Sequence, residues 1–505
     1  MTSVTPTPGA PTPPIAIAGA ASAATGHLTA PLVLLDDAFL TALGDTCADV
    51  RLDPGERAEA SRDWWPLAMV WATEGQVGQV AGALARPTNV DEVANVLRLC
   101  NEARVPVTPA AGRSSVVGGT IPVHGGVLLD VTGLVGIGEV DATSGIVEVW
   151  AGTFGDLFEE ELQATHGLTV GHWPQSMSLS TVGGWLACRG AGQLSNRYGK
   201  IEDIVVGLEV VLADGSVVRT GGQPRQAVGP DLTQLFVGSE GTLGVITRAW
   251  LQAWPAASHT ARSAWGFASF SDGLDAMRRI IQRGAQTAVL RLYDEIESQR
   301  SFSVEPGVNV LLAFDEGDPV VVDAGMVVVD EVCAAADRLD DALVEQWFGH
   351  RNNVDALETL ISKGYVVDTM EISGPWRTLD DIYAAATGAI GAVPGTMAVS
   401  AHQSHSYLTG ACLYFTFAAK VEATERDRYY IAAWDAGSRA VLANGGSLSH
   451  HHGVGLNRAR FVSEALGSGL DVFAAVKAAL DPHGICNPGK LGLPDPFGAV
   501  RWPAS

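Results

Sequence analysis

Three consecutive histidines, His450, His451 and His452, stand between Gly445-Gly446-Ser447-Leu448-Ser449 and Gly453-Val454-Gly455. Imidazole moves protons near neutral pH, and neighbouring imidazoles can also bind an anion or a metal. In an extended segment His450 and His452 share one face, with His451 opposite. The alternative is a polar loop with surface histidines; three in a row beside flexible glycines favour a functional role. A second chemistry is offered by three strips poor in bulky side chains: Pro109–Ser115 with Gly118-Gly119, then Ser176–Ala191, then Gly238–Ile246. Glycine and serine let several backbone N–H donors close on the oxygens of a pyrophosphate, whose charge is also spread along a strip. One such strip is most simply a turn. Three in this order point to a dinucleotide, although the chain has neither G-x-G-x-x-G nor G-x-x-x-x-G-K-[ST], which excludes a Rossmann turn and a nucleoside-triphosphate loop.

The chain has 505 residues, 47% of them hydrophobic and 17% charged, enough for a large compact protein of two or three domains. With 32 Lys and Arg against 56 Asp and Glu, the formal charge of -24 speaks against nucleic acid or an anionic membrane as partner. Six cysteines are scattered without a C-x-x-C pair, which argues for reduced thiols and against a zinc ribbon or thioredoxin site. Residues 1–30, rich in Pro, Ala and Thr, read as a disordered leader, and the lack of Lys or Arg before Arg51 argues against a signal peptide. The longest uncharged run, near Tyr383–Ala401, carries Gly388, Gly391, Pro394 and Gly395 and is too weakly apolar to span a bilayer. A soluble, cytoplasmic protein is the expectation, with a homodimer left open.

The elements that must position these groups follow from periodicity. Residues 31–85 read as an N-terminal helical segment. Asn89-x-x-Glu92 starts an amphipathic helix through Val93, Val96, Leu97 and Cys100, followed by extended runs at Val105–Thr108 and Gly126–Val131. Strands are expected at Gly145–Trp150 and Ile204–Leu212, the latter turning through Ala213-Asp214-Gly215-Ser216, with a helix at Phe154–Thr165 between them. After Trp254-Pro255, read as a domain boundary, helices are expected at Asp272–Arg283 and Met326–Leu339 and a strand at Val308–Phe314. Asp481–Lys490 reads as a turn-rich segment that folds back on the first domain. The spans are then 86–255, 256–480 and 481–505, in an α+β or α/β architecture.

From about Arg86 onward the sequence resembles the FAD-binding vanillyl-alcohol-oxidase (PCMH-type) superfamily, and within it the alkyl-dihydroxyacetonephosphate synthases. The likeness rests on PAAGRSSVVGG, on GHWPQSMSLSTVGGWLACRGAGQLSNRYGKIEDIV and on VGPDLTQLFVGSEGTLGVIT. It implies an α+β chain: a two-subdomain FAD-binding domain, then a substrate or cap domain built on an antiparallel sheet flanked by helices. It implies that FAD is lined by Pro109, Ala110, Ala111, Gly112, Arg113, Ser114 and Ser115; by Gln175, Ser176, Met177, Ser178, Leu179, Ser180 and Thr181; by Cys188, Arg189, Gly190 and Ala191; and by Glu240, Gly241, Thr242, Leu243, Gly244, Val245 and Ile246. Relatives with covalent flavin attach it through a His or Cys of the first or second strip. Here the first strip offers Arg113-Ser114-Ser115, the second has no Cys before Cys188, and His124 and His172 lie outside the usual positions, so FAD is expected to be held non-covalently.

The same resemblance assigns catalytic roles to Tyr414, to His450, His451 and His452, and to Arg291. It implies no metal: the metal-binding hydroxy-acid dehydrogenases of the superfamily carry Glu-His-Gly where this chain has His451-His452-Gly453. The synthases' phosphate-binding Arg falls, without gaps, at Leu357, and Arg351 is the nearest substitute. Losing a bidentate cation there weakens the case for a phosphorylated substrate. The expected activity is that of an FAD-dependent oxidoreductase acting on a C–H bond beside an oxygen-bearing carbon, in an alcohol, hydroxy acid or acyloxy ketone, with an unidentified electron acceptor. The alternatives are ester-to-ether exchange, as in alkylglycerone-phosphate synthesis, and a non-catalytic flavin-binding protein.

Overall fold

The computed structural model describes residues 6–19 and 27–503. Helix Val90–Ala103 shows how local chemistry fixes an element. The Asn89 side chain accepts from the Glu92 amide at 2.9 Å, and Glu92 reaches back one residue further than a simple capping box, to the Thr88 amide at 2.7 Å. Its buried face, Val93, Val96, Leu97 and Cys100, packs on a four-stranded sheet in the order Val50–Arg51, Ala83–Ala85, Val127–Asp130, Val107–Ala110. The last three of these strands run parallel. This sheet therefore begins before residue 86, and the stretch 31–85 is not purely helical: it contributes two strands besides the helices Asp37–Thr46, Pro54–Ala60 and Pro66–Thr73.

A five-stranded antiparallel sheet follows, in the order Ile137–Asp141, Ile146–Trp150, Val245–Gln252, Val205–Val211, Val217–Gly221. Its last pair is the hairpin turned at Ala213–Ser216, closed where the Leu212 amide donates to the Ser216 carbonyl. The helix Gly155–His166 packs on this sheet through Phe158 and Leu162. Beyond Trp254–Pro255, which pairs with Leu168–Thr169, a seven-stranded antiparallel sheet runs Asp337–Leu339, His259–Phe267, Asn309–Gly317, Val289–Tyr293, Thr396–Ser406, Gly410–Ala419, Val366–Pro375. Helices Phe270–Gln282, Leu379–Gly391 and Arg426–Ala443 pack on this sheet. The fold is thus a mixed α+β arrangement.

Two expectations need correction. The helix placed at Met326–Leu339 runs instead over Pro319–Cys333, because Asp318 caps it and Pro319 fits its first turn, and Asp337–Leu339 is an edge strand paired with Ala264–Gly266. Of the supposed disordered leader, residues 1–5 and 20–26 lie outside the described residues, but within 6–19 Thr12 and Pro14 are buried. The Trp64 indole donates to the Thr12 carbonyl at 3.0 Å and the Ala18 amide to Ala72 at 2.9 Å, while Ile15 packs on the core. An extended Pro-rich chain forms no ladder of its own but can still cover exposed tryptophan. Among the described residues no helix is long and apolar enough to cross a membrane, and all six cysteines are free.

The tail is tied to the first sheet. The Val107 amide donates to the Ile485 carbonyl and the Asn487 amide to the Val107 carbonyl, both at 2.8 Å. Buried Lys477 organises the approach: its ammonium donates to the Thr242 and Cys486 carbonyls and to the Asp481 carboxylate, which also accepts from the Ile485 and Cys486 amides. Removing one partner of a buried pair strands the other. Lys477→Met is therefore expected to lose about 3–5 kcal/mol, measured as a lowered urea midpoint with the slope unchanged; a loss under about 1 kcal/mol would show that the pair is dispensable.

Candidate active site

The three strips meet. Gly112 lies so close to the second strip that a Cβ there would sit 2.2 Å from the Leu179 carbonyl oxygen, and Gly241, at φ +73°, presses on Pro109 of the first. Asn487 from the tail bridges the first and third strips, donating to the carbonyls of Gly119 at 3.2 Å and Glu240 at 2.7 Å. Together they floor a cavity of about 890 Å3 that continues onto the seven-stranded sheet. Among the described residues the amides of Gly112–Ser115 find no acceptor, and the buried Arg113 Nη1 lacks a hydrogen-bond partner, standing 3.7 Å from Asp130. A row of free donors on a floor of small residues fits a dinucleotide pyrophosphate.

Most of the residues expected around FAD line this cavity. Met177, Ser178, Arg189, Thr242 and Leu243 do not. Met177 and Leu243 are buried in the core of the five-stranded sheet, Thr242 bonds the Ser239 carbonyl, and Arg189 points outward to Glu202 at 3.2 Å. These strips are locally tight turns and short helices, so successive residues alternate between cavity and core. Glu240 lines the cavity, but its carboxylate is engaged: it accepts from the amides of Val454, at 2.6 Å, and Gly455, at 2.7 Å.

The other wall comes from a row across four strands. Tyr293, His402, Tyr414 and Glu371 are successive register partners, so their side chains share one face of the sheet. The His402 ring stacks on Tyr414 at 4.8 Å. A register shift between Gln403 and His405 brings His405 to the cavity as well. Glu371, fully buried, grips the histidine loop: one oxygen accepts from the Ser449 hydroxyl and from the His451 and His452 amides, and the other lies 2.7 Å from Arg458, itself fully buried.

That grip changes the placement of the histidines. The segment is not extended, and His450 does not share a face with His452. His451 and His452 line the cavity together, flanking Tyr414 at ring distances of 6.1 and 5.5 Å. His450 turns away, to the Tyr407 hydroxyl at 2.6 Å and the His451 Nδ1 at 2.8 Å. Tyr414 donates to Thr369 Oγ1 at 3.0 Å. Arg291 lines the cavity, donating through Nε to the Tyr293 hydroxyl and, from Nη2, 2.7 Å from His402 Nε2. Arg351 and Leu357 line the same cavity, Arg351 lying 4.3 Å over Phe348, and Arg300 and His350 are there too.

In the sequence His172 stands out only as a place where flavin is not expected to attach, and His402, Glu297 and Glu371 are not among the expected site residues. His172 is fully buried just before the second strip, lines the cavity, lies tilted against Trp185 with ring centres 4.7 Å apart, and among the described residues has no hydrogen-bond partner at either ring nitrogen. Only its place in the motif that begins GHWPQS could have flagged it. For Glu371 the signal was a carboxylate between Met370 and Ile372 in a strand pattern.

Burial sets the protonation states. It holds His451 well below the ordinary imidazole range; it takes His452 down to about 4, with Glu371 opposing and Arg458 adding, and His172 to about 3, Lys200 adding. It pushes the Tyr414 phenol up, against the hydrogen bond to Thr369. Neutral imidazoles therefore face a protonated phenol: acceptors beside a donor. Cys188, desolvated beside Glu240, is pushed up to about 12 and stays a thiol.

Such a cradle beside a proton-handling cluster defines an FAD enzyme. Residues 81–221 match the FAD binding domain family and residues 256–491 the C-terminal domain of FAD linked oxidases. The chain is 31% identical over 432 residues to "Uncharacterized FAD-linked oxidoreductase YgcU" of Escherichia coli O157:H7, covering 82% of this chain and 89% of that one. It is 28% identical over 456 residues to the alkyldihydroxyacetonephosphate synthase of Dictyostelium discoideum, covering 83% and 74%. A solved alkyldihydroxyacetonephosphate synthase shares the fold, with a TM-score of 0.77 at 24% identity over 97% of this chain and 88% of that one. The chain belongs to the FAD-linked oxidase family, and FAD is its cofactor.

His452 gives a pH prediction. Its folded value of about 4 lies below the 6.5 of a free imidazole, so the unfolded chain binds the extra proton between those values. The stabilisation is complete above pH 6.5 and is lost as pH falls toward 4. His452→Asn is expected to flatten the fall of unfolding free energy across that window by up to about one proton, read from urea titrations at stepped pH; an unchanged slope would mean that His452 titrates freely in the fold.

Proposed function

We propose that this enzyme oxidises the C–H bond beside an oxygen-bearing carbon, in a substrate carrying an anionic group and an apolar stretch. The observation that carries this reading is that Tyr414, His451 and His452 line one cavity with all three strips of the FAD cradle. Bound FAD supplies the acceptor for the hydride that leaves carbon. The chain supplies the rest. A neutral His451 or His452 takes the substrate hydroxyl proton, the Tyr414 phenol turns its proton from Thr369 to hydrogen-bond the same oxygen, and loss of that proton and of the hydride together leaves a carbonyl. Arg291, Arg300 and Arg351 favour an anionic group, and Val354, Leu357 and Leu360 on the same cavity an apolar one. Anaerobic mixing with hydroxy acids and alcohols is expected to bleach the flavin. Tyr414→Phe should slow bleaching by roughly 100-fold or more while retaining FAD; a full panel without bleaching would rule out oxidation.

A second reading is ester-to-ether exchange, favoured by the likeness of Gly410–Phe415 and Asn444–Gly455 to the synthases. Acyl-dihydroxyacetone phosphate with a fatty alcohol then yields an ether lipid and releases the acyl group as a carboxylic acid, with no net oxidation. Leu357, where those enzymes carry a phosphate-binding Arg, weighs against it, and Arg351 on the same cavity is the group that would have to serve.

FAD is held without a covalent bond in this reading, supported by a first strip without His or Cys and by a Cys188 that remains a thiol. Acid precipitation should leave the pellet colourless and the yellow colour in solution. A yellow pellet that turns colourless in His172→Ala or Cys188→Ala would reverse this and identify the attachment.

A further inference from the structure

Arginine has only donors, so an Arg291 Nη2 lying 2.7 Å from His402 Nε2 requires a lone pair on that nitrogen. The ring proton must then be on Nδ1, which faces Glu297 Oε2 at 2.8 Å. Glu297 is fixed in turn: its other oxygen accepts from the Ser400 and Thr416 hydroxyls and lies 3.2 Å from Arg300. Burial lowers the His402 pKa, with Glu297 opposing, which agrees with a neutral ring. The chain Glu297, His402, Arg291 therefore has one direction, each proton pointing toward the carboxylate. The guanidinium is also bounded by Trp347, 5.4 Å from its ring centre, and by the Tyr293 hydroxyl on Nε.

We propose that His402 is a positioning residue: locked by Glu297 as the Nδ1–H tautomer, it takes one N–H of Arg291 and so aims the remaining guanidinium donors at the substrate's anionic group. The same ring stacks on Tyr414, so one side chain sets both the anion anchor and the phenol beside the reacting carbon. The aim at a substrate anion rests on the oxidation reading above; the tautomer and the placement of Arg291 do not.

The test compares His402→Gln with His402→Asn in the FAD-loaded enzyme. Glutamine can present an oxygen where Nε2 stood and accept from Arg291, whereas asparagine reaches only Glu297. With glycolate and D-lactate as probes, followed by flavin absorbance, His402→Gln is expected to bind within roughly threefold of wild type and His402→Asn roughly tenfold to hundredfold more weakly, with the larger change in KM and the smaller in kcat. A residue that only fills space beneath Tyr414 would make the two variants equally poor, and that result overturns the proposal. Nitrogen-15 NMR of labelled histidine, with the His402 signals assigned by their loss in His402→Gln, needs no substrate. A protonated Nε2 overturns the proposal. A bare Nε2 in a wild-type enzyme that neither acid perturbs would count against the oxidation reading and uphold the positioning.

Discussion

A buried carboxylate that spends its oxygens on backbone amides holds the catalytic side of this enzyme together. Glu371 accepts from two successive amides of the histidine loop and from Ser449, and faces Arg458 with its second oxygen. Burial alone would push its proton on; Arg458, helped by the loop histidines, holds its pKa far below the ordinary carboxylate range. Because the carboxylate bonds the amides, the His451 and His452 rings still face the cavity. Glu240 does the same from the opposite side, taking the Val454 and Gly455 amides. The loop thus hangs between a strand of the seven-stranded sheet and the third strip of the FAD cradle, and its placement is set by two carboxylates that act through backbone amides, with the His452 ring 3.9 Å from Glu371.

The cofactor side was legible in the sequence because its chemistry demands particular residue types. Backbone donors packed tightly against one another require glycine and serine, and Gly112 and Gly241 are the contacts that make the requirement strict. The five strip residues that miss the cavity show the limit: a strip specifies that backbone is exposed but not which side chains turn inward. The catalytic side was half legible. His451, His452, Tyr414 and Arg291 stood out by type and resemblance, but a period-two reading misplaced His450 because the loop follows the amides that Glu371 captures and not its own periodicity. Tyr293, His402 and Glu371 could not be joined to Tyr414 from sequence, since their alignment is a matter of register between strands far apart in the chain.

The same row explains why the two halves of the site behave as one surface. Four strands of one sheet present Tyr293, His402, Tyr414 and Glu371 side by side, ring against ring at one end and carboxylate against loop at the other. A β-sheet is stiff along its ladders, so these groups keep their spacing along the cavity wall that Leu357 and Leu360 continue.

The tail pairing with Val107 has a consequence for how the protein is made. Val107–Ala110 is the border strand of its sheet, and the partner that covers its outer side, Ile485–Asn487, is translated some 370 residues later. Throughout synthesis that border stays uncovered, a template for pairing with other nascent chains. Asn487 also ties the first strip's neighbour Gly119 to Glu240, so the flavin cradle is completed only once residue 487 has been made. A chain cut short before residue 485 would leave that border strand uncovered and the strips without their Asn487 bridge.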